Sequence, residues 1–291
     1  MKTCIPLVVG VAALGVTYQA NAGLYSDTVL DDNPVAYYQF EGNFNDSSAV
    51  DGNNNGTASS GGIPFGAAGT TFDSSLGQFA DTNGSGFVTL GASNAASSLN
   101  ADLNGASAVS IEFLVDIDSA TGTGNRSLFF IPSGNSAGIS VTLNQFENRL
   151  AFGGRSQNSD SFVSRFESVS GGVKHVVFTI DYATTTIQLY IDGELAAASV
   201  GSDSSNNSFD GGNTRTFGSN TYTVTSTNDE LIGRAVADNT EFGGDFDELA
   251  IYSRVLTAEE IQSHFNAIPE PGSMALMGLG VACFMVRRRP Q

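Results

Sequence analysis

The stretch Val173 to Leu195, VKHVVFTIDYATTTIQLYIDGEL, decides the fold. Val176, Phe178 and Ile180 share one side of the chain and His175, Val177, Thr179 and Asp181 the other, a period of two that belongs to a strand. Thr184 to Thr186 cover a reversal, after which Ile187, Leu189 and Ile191 alternate with Gln188, Tyr190 and Asp192. Asp192-Gly193 then supplies the dipeptide of a primed hairpin turn. Two adjacent strands thus close on a third in an antiparallel meander.

The pattern repeats in both directions. In Val109 to Asp118, VSIEFLVDID, the residues Val109, Ile111, Phe113, Val115 and Ile117 oppose Ser110, Glu112, Leu114, Asp116 and Asp118. One side is expected to pack and the other to be largely wet, as in an antiparallel sheet. Val35 to Glu41, Phe87 to Leu90, Leu128 to Ile131, Ile139 to Leu143, Arg149 to Phe152 and Phe162 to Phe166 read as further short strands. Glu230 to Arg234 and Phe246 to Tyr252 continue the series, each bounded by Gly, Asn, Ser or Pro. Gly91 to Ala106 is expected to be a loop, and the Ser/Asn/Gly-rich Gly201 to Thr221 an exposed insertion. One short helix is expected after Thr257. Thr257 and Glu260 have the capping-box spacing, Leu256 and Ile261 that of a hydrophobic staple, and Ile261 with Phe265 form an apolar stripe. The fold class is all-β, a single antiparallel two-sheet jelly-roll sandwich, with no composition break to divide it.

The two ends read differently from the body. Met1 to Ala22 has Lys2, an apolar run from Ile5 to Val16 and the small-residue site Ala20-Asn21-Ala22 ahead of Gly23, the order of a secretory signal peptide. Pro269-Glu270-Pro271 opens a tail whose apolar part, Ser273 to Val286, stops at Arg287-Arg288-Arg289. As a helix this apolar part is about 21 Å long against a hydrocarbon core of about 30 Å, and Gly278 and Gly280 weaken it. It suits transient insertion in the inner membrane better than permanent anchoring. The arginines would hold the extreme C-terminus in the cytoplasm while the body lies outside. The organisation read is residues 1–22 signal peptide, 23–267 folded domain and 268–291 tail. Cys4 and Cys283 both fall outside the folded domain, which leaves it without disulfide, thiol nucleophile or thiolate metal site. Between the ends stand eight basic and 29 acidic residues, a net of -21. Such a surface repels phosphate backbones and anionic lipid, which makes nucleic acid an improbable partner and cations plausible ones.

The candidate site residues are acidic. Asp51-Gly-Asn53-Asn-Asn55-Gly56 fits the opening of a calcium loop, but position twelve is Gly62 where a bidentate Glu is needed and no helix flanks it. Asp46, Asp51, Asn53, Asn55 and Asp247 are the candidate calcium ligands, with a plain Asn/Gly turn as the alternative. Calcium is the one cofactor suggested. Asp245 and Asp247 stand at alternate strand positions, as glycosidase carboxylates do, but Leu249 occupies the third place and the general acid is missing. No catalytic residue is assigned. His175 and His264 lack metal spacing, and a hydrogen-bonded face position is the reading for His175. Arg126, Arg149, Arg155 and Arg165 could meet uronic acids or sulfated sugar, or simply be solvated strand edges.

Two resemblances rest on these segments. The tail, with Pro269-Glu270-Pro271-Gly272, a short glycine-bearing apolar helix and the terminal arginines, resembles a PEP-CTERM sorting signal. That resemblance implies recognition by an exosortase in a Gram-negative bacterium making extracellular polysaccharide, with cleavage near Pro269 to Pro271. The body resembles the laminin-G-like, concanavalin A-type jelly rolls. Ala36 to Glu41 with Asp46-Ser-Ser48, Val173 to Val176 with Leu189 to Gly193, Leu231-Ile-Gly233 and Phe246 to Ile261 carry it. Tyr38, Leu114 or Val173 stand where relatives often carry tryptophan, and the chain has none. Tyr and Phe would have to replace indole as platforms for sugar rings. Together the resemblances imply a secreted or surface-displayed, non-catalytic protein binding carbohydrate or exopolysaccharide, or serving in an extracellular matrix. A calcium-dependent adhesive surface protein and a glycoside hydrolase or lyase are the alternatives.

Overall fold

The computed structural model describes residues 22–50, 54–58, 63–73, 75–82, 86–92, 99–117, 125–134, 137–144, 149–155, 162–168, 171–184, 186–196, 221–222, 229–234 and 242–269. Along them run α1 (Ala22–Asp31), β1 (Ala36–Tyr38), β2 (Thr57–Ala58), β3 (Phe65–Gly66), β4 (Phe79–Asp81), β5 (Val88–Ala92) and α2 (Leu99–Leu103). Next come β6 (Ala108–Asp116), β7 (Asn125–Gly134), β8 (Ala137–Asn144), β9 (Arg149–Arg155), β10 (Phe162–Ser168), β11 (Val173–Asp181) and β12 (Thr186–Ile191). The chain continues through β13 (Glu194–Leu195), β14 (Asp229–Ile232), β15 (Asp245–Tyr252) and α3 (Ala258–Ala267). Residues 1–21 of the signal peptide, the apolar tail and residues 201–220 lie outside the described residues. None of the helices described is long and apolar enough to cross a membrane.

The strands form two antiparallel sheets. The first has the order β13-β12-β11-β6-β15-β4-β3, with β1 also paired to β15, and the second β10-β9-β8-β7-β14-β5-β2. Alternation explains the first sheet directly. Val109, Ile111, Phe113 and Val115 of β6, Val176, Phe178 and Ile180 of β11, and Phe246 and Ile251 of β15 all enter one buried cluster. Across the gap they meet Val88, Leu90, Phe129, Ile139, Val141 and Ile232 of the second sheet. Removing these side chains from water stabilises the sandwich by about 25 cal/mol for each Å² of apolar surface buried. The meander read from residues 173–195 is present in register, Val176 opposite both Phe113 and Ile191. Asp192 at φ 53° and Gly193 at φ 80° make its two-residue turn, the left-handed pair that a primed hairpin requires.

The other side of the first sheet differs from the sequence expectation. Ser110, Glu112 and Leu114 are fully buried, as are His175, Val177 and Thr179. This face is covered by α1 and α3, which lay Tyr25, Val29, Ile261 and Ala267 against Tyr37, Leu114, Val177, Tyr190 and Tyr252 in a second cluster. The face is dry because two helices need somewhere to put their apolar stripes. Gly91 to Ala106 is likewise more than a loop. Leu99 and Leu103, one helical turn apart on α2, both sink into the main core.

α3 forms as its caps dictate. Thr257 accepts from the Glu260 backbone and Glu260 accepts from the Thr257 backbone at 2.7 Å, while Leu256 and Ile261 are both buried beneath. Ala at position 257 is expected to lower unfolding stability by about 1 kcal/mol. The urea midpoint should shift without a change in slope, since only the cap is lost.

Candidate functional site

Glu112, on the middle of β6, faces the helices and is wholly buried. Four elements send donors to its carboxylate. Tyr25 of α1 donates to Oε1 at 3.0 Å and Tyr252 of β15 to Oε2 at 3.1 Å. His175 of β11 places Nε2 at 2.7 Å from Oε1, and His264 of α3 places Nδ1 at 2.8 Å from Oε2. The far nitrogen of His264 meets Asp32 at 2.9 Å, and Asp32 in turn pairs with Arg254 at 3.4 Å. Because both ring nitrogens of His264 face carboxylates, both must donate, and the network assigns it as an imidazolium. Burial opposes that charge, but the hydrogen bond and charge of Glu112, then those of Asp32, outweigh it and raise the His264 pKa. Burial likewise opposes the Glu112 carboxylate, yet the two histidines hold it well below the usual carboxylate range. The ionised Glu112 accepts from His175 through Nε2–H.

A second carboxylate pair lies on the same face. β15 carries a bulge in which Asp247 opposes Leu114 and Ala250 opposes Glu112, with Glu248 at φ 56° between them. An extra residue shifts the alternation. Leu249 therefore turns into the inter-sheet core, and Glu248 rather than residue 249 joins Asp247 beside Tyr37. The third carboxylate that strict alternation fails to find thus exists. It is closed off from solvent, however: Asp247 is 0% and Glu248 3% exposed. Tyr37 donates a hydrogen bond to Glu248, and the Glu248 N–H donates to Asp247 Oδ1 at 3.0 Å. Burial, then the neighbouring Glu248 charge, pushes Asp247 well above its ordinary value. Burial pushes Glu248 up to about 8, with the Tyr37 hydrogen bond offsetting part of the effect. Asp245 is half-buried and accepts from Thr71 at 2.6 Å.

The opening on this face lies elsewhere. A cleft of about 610 Å³ forms where residues 69–76, the start of β11 and the end of α3 meet. Phe72, Leu76, Leu114 and Phe265 give it an apolar lining, and His175 and Asp192 are among its polar residues. Phe265 stacks on the His175 ring at 6.0 Å between centroids. Asp192 is held by Lys174 Nζ at 2.8 Å and by the His175 N–H at 3.1 Å. His175 Nδ1 is buried and has no hydrogen-bond partner among the described residues. Pro269, where the tail begins, stands at the rim.

The residues read as calcium ligands are distributed as follows. Asp46 accepts from the Tyr37 and Ser48 N–H groups at 2.9 and 2.8 Å, and Asn55 Oδ1 accepts from the Asp46 N–H at 2.9 Å. Asp247 sits in the bulge described above, whereas Asp51 and Asn53 lie outside the described residues. So do Ala20, Glu270, Pro271, Arg287, Arg288 and Arg289, while Ala22 opens α1. Among the described residues no group of three or more His, Cys, Asp or Glu side chains is arranged to hold a metal ion. One oxygen cluster was not legible from spacing. Asn54 Nδ2 reaches Val35 O, Asp46 Oδ2 and Asp102 Oδ2 at 3.3, 3.4 and 2.9 Å, and Asn54 Oδ1 is buried without a partner among the described residues.

Glu112 and Glu248, both buried on this face, titrate in opposite directions. Folded Glu248 holds its proton from its ordinary value of 4.5 up to about 8, so stability falls as pH rises through that window. The raised His264 contributes stability that is complete below its ordinary 6.5 and lost as pH rises past its folded value. The lowered Glu112 contributes stability present above its ordinary 4.5 and lost as pH falls. The melting temperature should peak near about pH 4.5 and decline toward about pH 8. Glu248→Gln keeps an acceptor for Tyr37 and should flatten the alkaline limb; an unchanged limb would show that Glu248 is not its source.

Known structures share this architecture at low identity. Domain 4 of an extracellular GH43 arabinanase from Geobacillus stearothermophilus, in complex with arabinotriose, aligns with a TM-score of 0.55 at 18% identity, over 80% of this chain and 98% of that one. The botulinum neurotoxin serotype G binding domain gives 0.53 at 16%, over 80% and 50%. The binding domain of botulinum neurotoxin DC in complex with rat synaptotagmin II gives 0.53 at 14%, over 82% and 52%. The chain spans about half the length of these two toxin domains, and at such identities the likeness is one of fold. No curated protein matches. Residues 267–289 match the PEP-CTERM protein-sorting motif, which implies recognition by an exosortase. Residues 85–262 match the third laminin-G family model, and the chain therefore belongs to the concanavalin A-like lectin/glucanases superfamily.

Proposed function

We propose that the protein is exported, sorted through its tail and displayed outside a Gram-negative cell, where it binds extracellular polysaccharide without catalysis. The observation that carries this reading is the cleft beside His175, an apolar seat with polar groups at its edge on a lectin-superfamily sandwich. Saccharide sites combine these features, because sugar rings offer C–H faces to aromatic side chains and hydroxyls to polar ones. The arabinanase domain of the same fold is seen with arabinotriose, which supports a glycan as ligand. Against hydrolysis, Asp247 and Glu248 are buried away from that cleft. Full-length protein should be retained on the native exopolysaccharide and release no reducing ends from it. Phe265→Ala should weaken retention roughly tenfold through lost ring contact; failure to bind any glycan would overturn the reading.

A calcium-bridged adhesive role is the second reading, and the Asn54 cluster favours it. Turning the Asn54 amide over would set its Oδ1 among the oxygens of Val35, Asp46 and Asp102, an all-oxygen arrangement suited to a hard cation. Asp51 and Asn53, adjacent in sequence, could add ligands. Calcium at about a hundredfold over its Kd should stabilise the fold by about 2.7 kcal/mol, reversibly with chelator. Asp102→Asn should reduce that gain, whereas a melting temperature indifferent to calcium and chelator would remove this reading.

A further inference from the structure

We propose that the mouth of the cleft is a docking surface for the exosortase itself, so that sorting depends on the folded body as well as on the tail. The inference goes beyond the glycan reading and does not depend on it.

The course of the chain leaves the enzyme little choice of approach. α3 is packed through Ala267, and the Ile268 N–H still donates to Phe265 O at 3.2 Å. Ile268 and Pro269 then line the cleft. A bond broken between Pro269 and Pro271 therefore lies within about 7 Å of the cleft wall. An enzyme that encloses this bond must cover the mouth. The other end of the body points the same way. α1 places Tyr25, near its start, beside His175 at 6.4 Å between ring centroids, and past its end the Asp32 carbonyl accepts from Arg254 at 3.1 Å. α3 starts where Arg254 pairs with Glu260 and finishes with Phe265 beside His175. The two helices thus run in opposite senses, and the segments read as signal peptide and tail both join the body at its cleft end. While either segment tethers the precursor, that end faces the bilayer holding the tether.

The lining of the mouth defines what the enzyme must present. Phe72, Leu76 and Phe265 form an apolar seat, and Val173 stands 39% exposed beside it. An apolar centre within a polar rim is the anatomy of a protein interface. The acids lining it are Asp73 and Asp192, and no lysine or arginine is among the described lining residues. Asp192 is already paired with Lys174 at 2.8 Å. Asp73 uses Oδ1 on the N–H and hydroxyl of Ser75, at 2.9 and 2.6 Å, which leaves Oδ2 to meet an incoming cation. On a body of net charge -21, the complementary partner surface is a basic loop carrying an apolar side chain at its tip.

The test follows processing of the full precursor in cells that carry its exosortase, read by mass spectrometry of the mature C-terminus. Val173→Asp lies outside the Glu112 network and should slow processing roughly tenfold while the melting temperature holds. Asp73→Asn keeps an acceptor for Ser75 and should slow it roughly threefold. Val50→Asp, at a position 52% exposed but outside the cleft lining, should change nothing. An insertion of about six Gly/Ser residues between Ile268 and Pro269 separates docking from obstruction. If the body helps to hold the enzyme, the longer link lowers the effective concentration of the tail and slows cleavage; if the body merely stands in the way, cleavage speeds up. Faster cleavage with the insertion, or processing untouched by Val173→Asp or by Asp73→Asn, would overturn this inference and leave the glycan reading standing. A wild-type precursor that is never cut would remove the sorting reading and this inference together.

Discussion

An ionised carboxylate placed at the centre of a sheet face must be surrounded by donors or the fold cannot keep it. Isolated, such a charge costs several kcal/mol to bury. Glu112 is kept because α1 brings Tyr25, β11 brings His175, β15 brings Tyr252 and α3 brings His264, and no single element supplies enough. The polar centre therefore specifies where both helices dock on the first sheet, while the surrounding Val177, Leu114 and Ile261 supply the apolar part of the same contact. Arg254 extends the arrangement outward, joining Asp32 near α1 to Glu260 in the first turn of α3.

Two acids on one face of one sheet thus reach opposite protonation states. Glu112 is surrounded by hydrogen bonds from histidines and stays charged, whereas Glu248 has chiefly Tyr37 and a neighbouring acid, Asp247, and holds its proton. Burial is complete at both positions, so the difference comes from partners rather than depth. Glycosidases also use carboxylates whose environments push their pKa values apart, but there the pair opens on substrate.

The sandwich was legible wherever one face of a strand is apolar and the other polar. Residues 173–195 yielded strands, reversal and primed turn because the alternation and Asp192-Gly193 are local signals. The capping box at Thr257 and Glu260 was equally local. Glu112 was read as solvated because a lone acid in an alternating strand normally is; its burial depends on α1 and α3, distant in the chain. Tyr25 and Val29, one helical turn apart, are the signal that could have revealed α1, and Leu99 with Leu103 the same for α2. The bulge at Glu248 was passed over although its mark is in the sequence, since Asp-Phe-Asp-Glu-Leu breaks phase at Asp247-Glu248 and sets the core residues Phe246 and Leu249 three apart rather than two or four. Asp102 could not be inferred, since it reaches Asn54 from 48 residues away.

The position of Pro269 carries a consequence for maturation. Packing of α3 continues through Ala267 into Ile268, leaving only a few residues, roughly 14 Å of extended chain, before the apolar segment starts at Ser273. A precursor tethered through that segment would be held close against its bilayer with little slack, and its cleft mouth would face restricted space. Proteolysis within Pro269 to Pro271 would both free the mouth and leave a new α-carboxylate beside it. Processing would then change the electrostatic character of the cleft mouth at the same moment that it relieves the crowding there.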